Sequence, residues 1–230
     1  AFVSKYAAGD KGYMLFATVD NGPRQFAVII SGNGSNDIAR YTSTTVTTGQ
    51  WYHVVGVYDP TGPTLDIYLN GVRDSGTTYG TVPSAIFNST SALTIGTRDT
   101  AGGKPWDGQV DEARVYSRAL SADEVGQLYR LTSPTSVDTS LKGYWSFDGQ
   151  DISGTTAYDR SGAGNNGALT GGPVITSGIA GQALSFDGSD DYVNAGSATP
   201  LDNLTTRTVS AWIKQTDAGS GYTTIIGKAY

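Results

Sequence analysis

Trp51-Tyr52-His53-Val54-Val55-Gly56-Val57-Tyr58-Asp59, followed closely by Leu65-Asp66-Ile67-Tyr68-Leu69-Asn70-Gly71, is the stretch that decides the fold class. The first run is apolar on both alternating faces, the pattern of a strand inside a sheet with cover on both sides. Asp59-Pro60-Thr61-Gly62 stops it with turn residues. Leu65, Ile67 and Leu69 then alternate with Asp66, Tyr68 and Asn70, the period-two signature of a second strand. Asn70-Gly71 predicts a two-residue type I′ hairpin, because both central positions of that turn need positive φ. Val72-Arg73 starts the return strand.

Working outward, the same texture continues. Phe26-Ala27-Val28-Ile29-Ile30 is an apolar run closed by the turn cluster Ser31-Gly32-Asn33-Gly34. Leu93-Thr94-Ile95-Gly96 and Val110–Tyr116 read as further strands, the latter placing Val110, Glu112, Arg114 and Tyr116 on one face against Asp111, Ala113 and Val115. One helix is expected near 121–130. Ser121-Ala122-Asp123-Glu124 is a capping box, in which a hydroxyl and a carboxylate satisfy two orphan backbone donors. Val125, Leu128 and Tyr129 would be its packed side.

Leu131 to Thr139 has no periodicity and a Pro among hydroxyls, so it reads as a linker. A new set of strands follows at 142–147, 183–186, 191–193, 208–214 and around Ile225-Ile226. Asp159–Gly167, rich in Asn and Gly, is a loop between them. Asp187-Gly188-Ser189-Asp190-Asp191 is a second acidic loop, without the fixed ligand spacing of an EF-hand, and reads as a hairpin turn.

Composition agrees with an all-β chain. Among 230 residues Gly occurs 31 times, roughly twice ordinary usage, and charged residues make up only 16%. The 15 Lys and Arg are scattered and the net charge is −6, so the clustered basic footprint of a nucleic-acid binder is missing. The apolar runs are far too short for membrane insertion by a helix, and Ala1–Lys5 lacks the basic start of a secretory leader. With no Cys, neither disulfides nor thiolate metal sites exist.

The same counts argue against catalysis. Glu112 and Glu124 are the two Glu of the chain, one expected in a strand and the other in a capping box. A retaining glycosidase needs two carboxyl groups about 5 Å apart, and no spacing here points to such a pair. His53, the single His, sits mid-strand among apolar neighbours and reads as a structural, hydrogen-bonded residue. Zinc would need three or four N or S ligands. Hard cations are better served, since short carboxylates, amides and Gly-freed carbonyls are gathered in loops such as Asp159–Gly167.

Several of these stretches together resemble the laminin G-like, concanavalin A-like jelly-roll domains. They are Trp145-Ser146-Phe147-Asp148 followed by Asp159-Arg160-Ser161-Gly162 and Asn165-Asn166-Gly167, the two opening strands at 51–59 and 65–71, Gly108–Ser121, and Ser210-Ala211-Trp212-Ile213-Lys214. The resemblance implies an antiparallel two-sheet jelly-roll sandwich. It also implies calcium as a cofactor, with Asp111 and Asp159 as ligands and Asp148 and Asn165 as further members of the set. Glycan binding is a common property of such domains, and for it the loop aromatics Trp106 and Tyr222 are the candidate contacts, while Trp51, Trp145 and Trp212 read as core. The Glu-x-Asp-x-x-Glu strand motif of the glucanases that share this fold is absent.

The order of the segments departs from the family pattern. There the Trp-Ser-Phe-Asp segment opens the domain and the Asp-Glu-Ala-Arg-Val-Tyr segment closes it; here the closing segment comes first. Residues 1–131 therefore look like the C-terminal half of one domain, 132–139 like a linker, and 140–230 like the N-terminal half of the next. Val3-Ser4-Lys5 and Ile226-Gly227-Lys228 are similar in pattern, and aligning Lys5 with Lys228 gives a period of 223 residues. Two half-sandwiches would each expose an apolar face, so the halves must complete each other, within the chain or with a neighbouring copy of the same repeat. The expectation is a non-catalytic repeat module of a secreted or cell-surface protein, serving adhesion or structural assembly. The alternative is a calcium-dependent carbohydrate-binding module of a glycan-degrading enzyme.

Overall fold

The structure is a computed structural model and describes residues 11–19, 23–101, 103–130, 138–202, 204–216 and 223–229. The expected pattern similarity of 3–5 to 226–228 and most of the expected linker lie outside these residues. Before that linker the strands are β1 (Tyr13–Thr18), β2 (Gln25–Ile30), β3 (Ile38–Tyr41), β4 (Trp51–Asp59) and β5 (Thr64–Leu69). They continue as β6 (Val72–Arg73), β7 (Thr78–Tyr79), β8 (Ala92–Ile95) and β9 (Asp107–Tyr116), and helix α1 (Ala122–Tyr129) follows. After the linker come β10 (Leu141–Trp145), β11 (Ile152–Ser153), β12 (Thr156–Ala157), β13 (Gly167–Thr170) and β14 (Val174–Ser177). The last four are β15 (Gln182–Asp187), β16 (Tyr192–Gly196), β17 (Arg207–Gln215) and β18 (Thr223–Ala229).

These strands form two antiparallel sheets. The first runs β11-β12-β13-β16-β8-β18-β1-β2-β3-β7 and the second β14-β15-β9-β17-β4-β5-β6, with β10 also on β9. Strands from before and after the linker alternate in both. In the first sheet β18 lies between β8 and β1; in the second β17 lies between β9 and β4. The hairpin at Asn70-Gly71 has the two positive φ values, 52° and 81°, that a type I′ turn requires.

Between the sheets sits one apolar core in which Phe16, Phe26, Tyr58, Trp106, Trp145, Phe147 and Phe186 are the bulkiest fully enclosed side chains. Each such side chain contributes about 1.5–3 kcal/mol through removal from water. A smaller cluster lies on the outer face of the second sheet, where Leu120 and Val125 cover Val55, Val57, Tyr68 and Tyr116. The capping box of α1 forms as its sequence requires: Ser121 Oγ accepts from the Glu124 N–H, and the Glu124 carboxylate accepts from the Ser121 N–H at 2.8 Å. Arg118 ties this start to Asp138, its Nη2 lying 2.7 Å from Glu124 Oε1 and 2.9 Å from Asp138 Oδ2.

The strand at 107–116 departs from the simple alternation expected of it. Ser210 pairs with Arg114 but Trp212 pairs with Asp111, so β9 carries one residue more than β17 over that interval. The extra residue is a β-bulge, marked by Glu112 at φ 55°. It reverses the phase, so that Val110 and then Ala113 and Val115 enter the core. Trp212 also departs from expectation. It is buried, but on the outer face opposite Ala211 and Ile213, whereas Trp145 is in the core as expected and Trp51 is half-buried.

Candidate functional site

The bulge creates the most unusual polar arrangement of the molecule. One edge of β9 is shared: β15 pairs with Asp107–Val110, and β10 pairs with Ala113–Tyr116. Asp111 sits in the gap between those two partners, fully buried. Its Oδ2 accepts from the backbone N–H of Ile179 at 2.8 Å and of Ala180 at 3.1 Å, while its Oδ1 is buried with no hydrogen-bond partner. Asp148, just after β10, holds the same connection between β14 and β15 from its other end: Oδ1 accepts from the Gln182 N–H at 2.8 Å. Gln182 Oε1 in return accepts from the Gly149 N–H at 2.8 Å. Gly178 and Gly181 are required in this turn, because a Cβ there would run into the Asp111 and Asp148 carboxylates respectively. Burial, with the Glu112 charge adding to it, pushes the Asp111 carboxyl up to about 7, against the backbone N–H groups of Ala180, Ile179 and Glu112.

Asp159 and Asn165 are brought together elsewhere. Asp159 Oδ1 accepts from the N–H of Tyr144 at 2.9 Å and of Ser161 at 2.8 Å; its Oδ2 accepts from Ser161 Oγ at 2.8 Å and the Asn165 N–H at 2.9 Å. Asn165 donates Nδ2 to the Lys142 carbonyl at 2.7 Å and receives the Trp145 indole N–H on its own carbonyl at 3.1 Å. The loop at 159–167 is thus wrapped on β10. Among the described residues no hydrogen bond joins this group to Asp111 or Asp148, so the four expected calcium ligands fall into two pairs.

The fit to a hard cation differs between them. A carboxylate offers about four lone-pair positions, and four donors already occupy those of Asp159. Of the four expected ligands, Asp111 and Asn165 each keep a buried Oδ1 without a donor. Of the two pairs, Asp111 with Asp148 is the one whose free oxygen belongs to a carboxyl group, which a cation can hold ionised. A calcium ion there would supply the positive charge that the buried Oδ1 lacks.

On the outer face beside Asp111 lies a polar and aromatic row that nothing in the sequence marks as a unit. Trp212 pairs with His53 on one side and with Asp111 on the other. Tyr129, at the end of α1, stacks on Trp212 with ring centroids 5.4 Å apart, and His53 packs against Trp212 at 5.3 Å. His53 Nε2 is bonded to Ser210 Oγ at 2.9 Å, whereas its Nδ1 and the Trp212 indole N–H are buried without partners. Burial, with the Arg114 charge adding to it, pushes the imidazole down to about 3, so His53 is neutral. One strand position away, Glu112 is held by the Arg114 guanidinium and by Tyr144, whose hydroxyl donates to it at 3.0 Å. Arg114 lies 4.3 Å above the Tyr144 ring. The Glu112 side chain is committed to this cluster, as Glu124 is to the helix cap.

The expected sugar-stacking residues fare differently. Trp106 is fully buried in the core, with Gly108 against its indole nitrogen, so it is no exposed platform. The neighbouring Gly, Lys and Pro suggested a surface loop, yet the chain there leads directly into β9 and turns the indole between the sheets. Tyr222 lies outside the described residues. The acidic loop at 187–191 is corrected too. It joins β15 of the second sheet to β16 of the first, so it is a crossover between layers and not a hairpin. Carboxylate oxygens of Asp187, Asp190 and Asp191 approach within 4.8 Å, with Asp191 Oδ2 accepting from the Asp187 N–H at 3.0 Å.

Comparison with known proteins gives one match. A laminin G-type family model, described as the concanavalin A-like lectin/glucanases superfamily, matches residues 1–126. No curated protein and no solved structure matches the chain.

Proposed function

From the premise that the chain belongs to the concanavalin A-like lectin/glucanases superfamily, we propose that it is a non-catalytic structural repeat of an extracellular or cell-surface protein. Its fold is that of a lectin-like module of the laminin G type. Adhesion or assembly is the role the reading assigns, with neighbouring copies of the same repeat as partners.

The observation that carries this proposal is the alternation of segments within each sheet. β17 is flanked on both sides by strands from before the linker, and so is β18. A segment lacking them would leave β4, β9, β1 and β8 with open edges, which favours pairing with another chain. Segments cut from consecutive repeats and completing each other would give this arrangement, and head-to-tail pairing between chains would propagate it. The commitment of Glu112 and Glu124 to structural contacts supports a role without catalysis. Calcium is assigned to Asp111 and Asp148, where the free buried oxygen of Asp111 supports it.

The test is to express 1–131 and 140–230 separately and mix them. Each alone is expected to be unfolded or self-associated, and the mixture to give one folded complex by size-exclusion chromatography and circular dichroism. Two independently folded halves that ignore each other would overturn the proposal.

A second reading, a calcium-dependent carbohydrate-binding module, is favoured by the family match, whose description names lectins. A glycan array run in calcium and again in chelator separates the two. A defined hit lost on chelation selects the binding module; a blank in both arms selects the structural repeat.

A further inference from the structure

Arg207 opens β17 opposite Tyr58 and points into the sandwich, on the same side as Val209, Ala211 and Ile213. It is 6% exposed, and its Nη2 donates to the Leu204 carbonyl. Its guanidinium carbon lies 4.4 Å above the ring of Tyr13, the first residue of β1 in the opposite sheet. Among the described residues no carboxylate lies in ion-pair range of it; the neighbouring titratable groups that act on it are the phenols of Tyr13 and Tyr58. Burial lowers it to about 10, so at neutral pH the guanidinium stays charged.

A buried cation without a counter-ion is strongly destabilising, and the stacked ring meets only part of that cost. Cation–π attraction offsets part of the desolvation, but a ring beneath the face of a guanidinium cannot accept the N–H bonds that lie in its plane. The Arg207 Nε–H is accordingly buried with no acceptor. So is the hydroxyl of Tyr13, on whose ring the guanidinium is stacked. The Tyr58 hydroxyl already donates, to the Pro83 carbonyl at 2.8 Å. Two enclosed donors on one stacked pair, and a net positive charge, are thus left without an acceptor of their own, the Leu204 carbonyl being taken by Nη2.

We infer that Arg207 and Tyr13 form an internal anion site at this end of the sandwich, taking a halide-sized monovalent ion. The size follows from enclosure, since neither residue is open enough to admit a large oxyanion or the carboxylate of a polymer. The charge follows from the guanidinium: a water molecule would satisfy the donors but leave the cation uncompensated. The ion would join β1 to β17, and therefore the segments before and after the linker, from between the two sheets.

The experiment is thermal unfolding of the full chain at constant ionic strength, with sodium gluconate replaced stepwise by sodium bromide. A saturable rise in Tm is expected, because an ion bound to the folded state alone stabilises it by mass action. Tyr13→Phe should raise the apparent bromide Kd about tenfold, as one hydrogen bond to an ion is lost, and Arg207→Met should abolish the dependence. A rise that persists unchanged in Arg207→Met, or no rise in the parent chain, overturns the site. If Arg207→Met does not fold, crystals grown in bromide decide the matter. An anomalous peak beside Arg207 Nε upholds the site, and its absence removes it.

Discussion

His53 Nε2 lies 2.9 Å from Ser210 Oγ across 157 residues of chain, joining β4 to β17 on the outer face of the second sheet. Both residues are fully buried. The bond stands beside an aromatic cluster in which the rings of His53, Tyr129 and Trp212 contact one another pairwise, with centroids 5.3 to 6.1 Å apart. It thereby fixes the imidazole against the same Trp that carries the end of α1, adding a polar contact to the β4–β17 ladder and the apolar cluster under the helix.

Ser210→Ala leaves the His53 ring nitrogen buried and unpaired, which costs about 1–3 kcal/mol. Urea unfolding should show that loss with an unchanged m-value. A loss no larger than that of an exposed Ser→Ala control would mean the bond contributes nothing.

The same imidazole sets an acid response. Its pKa in the folded protein is about 3, below the ordinary 6.5, so the unfolded chain takes up a proton that folded His53 refuses. Its contribution is complete above about pH 6.5 and is lost as pH falls through that window. His53→Gln should flatten the decline in stability between pH 6.5 and 4, read by urea midpoints at each pH. An equal decline in the variant would remove His53 as its source.

Gly56 faces Val28 across the core, where a Cβ would come 2.7 Å from Val28 Cγ2. Gly56→Ala is therefore expected to destabilise by about 1–3 kcal/mol through overpacking. Val28→Ala made in the same chain should recover part of that loss. A double variant no better than the sum of the singles would show that the two sheets do not meet there.

Ser121→Ala removes the N-cap of α1 and should cost about 1 kcal/mol. Because Tyr129 stacks on Trp212 at the far end of that helix, the loosening should also change the Trp212 environment. Hydrogen exchange is expected to rise in 122–129 first, with β4 and β5 unaffected.

Which parts of this molecule could be read from its residues follows from how local their causes are. β4, β5 and the Asn70-Gly71 turn were legible because alternation and positive φ are properties of neighbouring residues. The capping box at Ser121 was legible for the same reason. The bulge at Glu112 was not, since it answers to β10 and β15 sharing one edge of β9, a fact about distant segments. Trp106 misled because Gly, Lys and Pro beside it signal a loop, while burial of the indole is decided by the sheet that crosses over it. The metal candidates divided for a similar reason. Asp159 and Asn165 are six residues apart and share a turn, but Asp111 meets Asp148 only through the connection between β14 and β15. β1, buried at every residue from Tyr13 to Thr18, carries no alternation to announce it.

Asp111 gives the sharpest test of how that connection works, because its titration runs opposite to that of His53. Burial raises its carboxyl to about 7, so in the folded protein it holds a proton that the unfolded chain releases above about pH 4. The stability it contributes is complete below about pH 4 and is lost as pH rises through 7. Asp111→Asn cannot ionise and should not show that loss, while its side-chain oxygen can still accept from the Ile179 and Ala180 N–H groups. Calcium changes the balance for the parent chain alone. At pH 7.5 a cation on the free Oδ1 favours the ionised carboxylate, so millimolar calcium added after chelation should raise Tm by several degrees. The Asn variant should not respond. A calcium response equal in both chains would place the ion elsewhere, at Asp187, Asp190 and Asp191 before any other group, since those carboxylates lie within 4.8 Å of one another. No response in either chain would leave Asp111 as a clamp on the β14–β15 connection, whose free oxygen is then tolerated by staying protonated.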